Sequence, residues 1–112
     1  MRVHVRKAGD VVIVDLNGEL VLGVGDELLR DVINELVAEG WKKILLNLAE
    51  VTRLDSAGMG ELAASWKLAN RFGARVHLLR PGDRVRQTLH ISQLLPLLEV
   101  HEEEATALEA FK

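Results

Sequence analysis

The sequence predicts a single α/β domain on a mixed, mostly parallel sheet, with an N-terminal hairpin and flanking helices. Short apolar runs alternate with segments of helical period, which calls for repeated β-α-β crossovers. A chain of 112 residues, 48% hydrophobic and 28% charged, suits one core and not two. The expected domain is residues 1–112.

Val3 and Val5 alternate with Arg2, His4 and Arg6, the period of a half-exposed strand. Ala8-Gly9-Asp10 turns the chain into Val11–Leu16, a strand apolar on nearly both faces, which Asn17-Gly18 is expected to break. Leu28, Leu29, Val32, Ile33, Leu36 and Val37 then form a helical stripe. Asp26 is its expected N-cap, and Gly40 its left-handed stop. Ile44–Leu48 reads as a second buried strand, and Met59, Leu62, Ala63 and Trp66 as a second stripe closed by Gly73. Arg75–Leu79 follows as a strand, with His77 on its solvent side, and a short helix carries Val85 and Leu89. After Pro96, Leu97–Val100 reads as the last strand, and Ala105, Leu108 and Phe111 as the stripe of a C-terminal helix. The element order is β-β-α-β-α-β-α-β-α.

Composition excludes several classes. A net charge of −3 lacks the surplus of cations that non-specific nucleic-acid binding needs. No apolar run is long enough to insert into a membrane, and no secretory signal is visible, so a cytoplasmic location is expected. With no cysteine there is no disulfide, thiolate metal site or cysteine nucleophile. Of the four histidines, none pairs at a metal-ligand spacing. Glu102, Glu103 and Glu104 read as first-turn acids of a helix, so no metal or cofactor is expected.

Leu54-Asp55-Ser56-Ala57-Gly58-Met59-Gly60-Glu61-Leu62 is the most informative stretch, because it joins a buried strand to an amphipathic helix. Asp55 and Ser56 are both good N-caps, and Gly58 and Gly60 admit close packing against the sheet. A helix N-terminus also favours an anion, which makes Ser56 a sensible phosphorylation site. Catalytic readings fail on details. Gly58–Ala63 fits a dinucleotide fingerprint, but Leu78, Leu79 and Arg80 stand where its acid belongs. Leu54 occupies the first glycine position of a nucleophile elbow, and no P-loop exists. The protein is expected to receive chemistry and not to perform it. Six bases between Lys67 and Arg86 face only Asp83, and five Glu lie between 99 and 109. Such runs read mainly as solvated faces, with Arg80 and Arg84 as weaker docking candidates.

Asn17-Gly18-Glu19-Leu20 and the run from Asn47 through Asp55-Ser56-Ala57-Gly58-Met59-Gly60 resemble the STAS domain, in an element order that matches along the whole chain. Small members of that family are anti-sigma factor antagonists. The resemblance implies that this chain binds an anti-sigma serine kinase and so frees a sigma factor. It further implies phosphorylation at Ser56 and reversal by a serine phosphatase. The implied partner-binding set is Leu20, Val21, Asp55, Ser56, Ala57, Gly58 and Met59, with Val21 standing where many antagonists carry an acid. Two other readings are open. One is an accessory subunit of a lipid-type transport ATPase, which Val21 and its apolar loop favour. The other is a small-ligand or nucleotide sensor at the strand ends.

Overall fold

The computed structural model describes residues 1–91 and 97–112. In order, the elements are β1 (Arg2–Ala8), β2 (Val11–Leu20), α1 (Asp26–Ala38), β3 (Lys43–Leu54) and α2 (Ser56–Arg71). Then follow β4 (Arg75–Leu79), α3 (Asp83–Ile91), β5 (Val100–His101) and α4 (Glu104–Ala110). One five-stranded sheet runs β1-β2-β3-β4-β5; β1 is antiparallel to β2, and every other pair is parallel. The predicted class and element order hold.

This strand order decides where the core lies. Successive crossovers that step the same way across a sheet, each right-handed, put their helices on one face. Leu29, Ile33 and Leu36 of α1, Leu62 and Ala69 of α2, and Val85 and Leu89 of α3 accordingly share one cluster with Val12, Val14, Ile44, Leu46, Val76 and Leu78. The opposite strand phase, Val11, Ile13, Leu45 and Leu79, packs against Ala107 and Phe111 from α4. Two covered faces explain why the inner strands are apolar at almost every position.

Several boundaries depart from the sequence reading. Asn17-Gly18 does not end β2: the strand continues to Leu20, with register shifts beside both residues and Gly18 at φ +121°. The break expected there is a local irregularity inside a ladder that β3 keeps paired. Asp26 does not cap α1 but is its first residue; Gly25 is the cap, and the Asp26 carboxylate accepts the Gly23 N–H at 2.8 Å. Gly40 takes the expected left-handed turn (φ +91°), and Trp41 donates back to the Leu36 carbonyl at 3.1 Å. The last strand is shorter than expected, because only Val100 and His101 pair with β4; Pro96, its predicted boundary, lies outside the described residues. In α4, Ala105 is exposed and the buried stripe is Ala107 with Phe111. His77 is 5% exposed, not solvent-facing, and its ring stacks on Phe111 at 4.2 Å between centroids. Leu79 shares its phase, so the α4 face covers them both.

Candidate partner-docking site

β3 carries the chain to Leu54 at the carboxyl end of the parallel strands, and α2 starts two residues later. Between them Asp55 adopts an extended conformation (φ −106°, ψ −173°) and caps the helix. One carboxylate oxygen accepts the Gly58 N–H at 2.9 Å; the other accepts the Leu22 N–H, in the β2–α1 loop, at 3.0 Å. These backbone donors, Leu22 first, hold the Asp55 carboxyl below the usual carboxylate range. Asp55 thus fastens the start of α2 to the neighbouring loop.

Of the two candidate caps, Asp55 alone takes the role. Ser56 is the first residue of α2, exposed, and its hydroxyl has no hydrogen-bond partner among the described residues. Ala57 and Met59 are half-buried beside it. Gly58 is buried where backbones nearly touch: an added Cβ would stand 2.0 Å from the Leu20 carbonyl oxygen. Gly60 has nothing within 4 Å, so the close approach expected of both glycines belongs to Gly58.

Leu20 and Val21 lie at the site, yet their side chains are buried in the core (0% and 7% exposed). Their contribution is backbone. The Leu20 carbonyl abuts Gly58, and the Val21 carbonyl accepts the N–H groups of Val24 and Gly25, both at 3.1 Å. The large hydrophobic residues this loop exposes are Leu22 (72%) and Val24 (47%), joined on the first turns of α1 by Leu28. The sequence reading noted an apolar, glycine-rich loop but did not assign these two to the surface. Their signal is position: turn residues that follow a buried strand end have no second layer to cover them. Arg80, a weaker candidate, is engaged elsewhere; it donates to the Glu102 carbonyl at 2.8 Å and approaches Glu103. His77 and His101, expected to lie apart, converge at the far edge of the sheet.

The sequential mixed sheet thus carries, at the carboxyl end of β3, an exposed serine at the head of an aspartate-capped helix. The STAS domain model matches residues 2–107, and the chain belongs to that family. Among its relatives is the TM1081 homologue of Thermotoga neapolitana, 31% identical over 100 residues, covering 89% of this chain and 88% of that one. The anti-sigma-B factor antagonist of Staphylococcus aureus is 29% identical over 89 residues (80% and 82% covered). The crystal structure of TM1081 from Thermotoga maritima superposes with a TM-score of 0.89 at 25% identity, covering 96% of this chain and 92% of that one.

Proposed function

We propose that this chain is an anti-sigma factor antagonist whose docking is controlled by phosphorylation of Ser56. The partner is an anti-sigma factor with serine-kinase activity; binding it frees a sigma factor, and a serine phosphatase resets the modified form. The carrying observation is the division of labour at the head of α2. Asp55 takes the cap, so the adjacent Ser56 hydroxyl is exposed and uncommitted. Relatives that are anti-sigma factor antagonists support the same reading.

The geometry refines how the switch works. A phosphate at a helix N-terminus is ordinarily drawn onto free N–H groups. Here the Gly58 N–H already serves Asp55, and Asp55 is held in its charged form. A phosphate on Ser56 therefore meets an adjacent carboxylate and points outward. The fold loses nothing, because Ser56 supports no buried contact. The complex bears the cost. The apolar ledge of Leu22 and Val24, tied to the cap through Asp55, is the surface a partner would cover. Closing that surface over phosphoserine would bury roughly two negative charges beside a third. A penalty of about 4 kcal/mol for such a group lowers affinity about a thousandfold. The role needs binding and no catalysis by this chain.

The test pairs the purified protein with anti-sigma serine kinases and ATP, mapping phosphate by mass spectrometry and affinity by calorimetry. Phosphate should appear on Ser56 and vanish in Ser56→Ala, while Ser56→Asp loses kinase affinity at unchanged melting temperature. Phosphate mapped to another residue, or full affinity in Ser56→Asp, contradicts the proposal.

A further inference from the structure

Away from that site, three ligand-type side chains meet at the β4–β5 edge, on the face that α4 covers. Glu99 and His101 are two residues apart and so point to the same side of the sheet. The register that pairs Leu79 with His101 brings His77 level with Glu99. Nε2 of His77 lies 3.3 Å from one Glu99 carboxylate oxygen, and Nε2 of His101 lies 3.5 Å from the other. One ligand atom from each residue falls within 4.8 Å of the others. Both imidazoles are enclosed, with side-chain exposures of 7% and 11%, whereas Glu99 is 58% exposed and opens the cluster to solvent. The Nε2 atom of His101 is buried and makes no hydrogen bond.

These separations have a chemical meaning. A tetrahedral ion bound through nitrogen and oxygen at about 2.0–2.1 Å sets its ligand atoms roughly 3.3–3.4 Å apart. The carboxylate-to-imidazole distances of 3.3 and 3.5 Å are close to that requirement, and all three ligand atoms lie within 4.8 Å of one another. Two imidazoles and one carboxylate suit a borderline divalent ion, with water completing the shell. Arg75, on the same strand as His77, is engaged elsewhere: it donates to the Phe111 carbonyl at 2.5 Å and lies over the Phe111 ring.

We propose that His77, Glu99 and His101 bind a zinc-type divalent ion that staples the two-residue strand β5 to β4. The ion is structural: β5 carries the chain into α4, so fixing His101 to His77 also secures the helix that closes this face. This site is independent of Ser56 and of the partner switch.

The experiment titrates Zn2+ into tag-free, chelator-dialysed full chain by calorimetry and follows the melting temperature. One ion per chain should bind, and Tm should rise by roughly 10–15 °C at zinc about a hundredfold above Kd. His77 is packed on Phe111, so the other two ligands carry the test: Glu99→Gln and His101→Asn should each weaken binding at least about tenfold. His90→Asn, at an exposed histidine on α3, should leave it unchanged. Absence of binding at about 100 μM zinc, or undiminished binding in either ligand variant, overturns the assignment.

Discussion

Replacing Asp55 by Ala removes acceptors from two backbone N–H groups on different segments, Gly58 in α2 and Leu22 in the β2–α1 loop. The urea midpoint should therefore fall, and hydrogen exchange at both amides should quicken together. Asp55→Asn keeps a capping side chain while removing the charge. Because its backbone donors hold the Asp55 carboxyl low, its contribution is complete above the ordinary carboxylate pKa of about 3.9 and fades as pH falls through the lower folded value. A pH series of urea midpoints should accordingly show the wild type losing its advantage over Asp55→Asn in that acid window. Equal slopes for the two proteins would remove Asp55 from the acid response. The glycines of the same turn separate cleanly. Gly58→Ala drives a methyl into the Leu20 carbonyl and should cost about 3 kcal/mol or more. Gly60→Ala meets open space in a helix and should stabilise by up to about 1 kcal/mol. Both are read from urea unfolding.

The elements show how charge is used. The basic run from Lys67 and the acidic run from Glu99 are not merely two solvated faces, since Arg80 meets Glu103 and Arg86 meets Glu102. Glu104, the first residue of α4, accepts two hydrogen bonds from Arg6 at 2.7 and 3.1 Å, and Arg6 also donates to Asp15 on β2. Arg6 thereby ties α4 to the edge hairpin, and its hydrogen bonds hold the Glu104 carboxyl low. The pair is about a third exposed, so Glu104→Gln should cost less than about 1 kcal/mol. Its main effect should be faster hydrogen exchange confined to α4; exchange accelerating throughout the sheet would show that the tether does more. Element types and order were legible in the sequence because periodicity and glycine stops report local preference. Gly40 takes the left-handed conformation expected of it, and Gly73, read as the stop of the second stripe, is left-handed too. The continuation of β2 past Asn17-Gly18 was not, since pairing with β3 outweighs the local turn signal.

At the scale of the molecule, the two apolar clusters lie back to back through one sheet, and a radius of gyration of 12.5 Å is that of a single folded unit. Unfolding should be one cooperative transition, with far-UV circular dichroism coinciding with the fluorescence of Trp41 and Trp66. Phe111→Ala, at a side chain 1% exposed, should lower the unfolding free energy by about 3–5 kcal/mol without splitting the transition. A separate early phase would mean that α4 folds as an appendage. The alternation of apolar and helical segments, and the Asp-Ser-x-Gly turn at the head of a helix, were determined by the sequence alone, for they depend on neighbours along the chain. Which side chains share a surface depended on the tertiary structure. Covering the second sheet face with α4 buries His77, and strand register brings it beside Glu99 and His101. Burial of Val21 leaves Leu22 and Val24 as the exposed ledge, while Asp55 takes the cap and leaves Ser56 outside it. Those outcomes depend on contacts between residues tens of positions apart, and local preference carries no record of such distances.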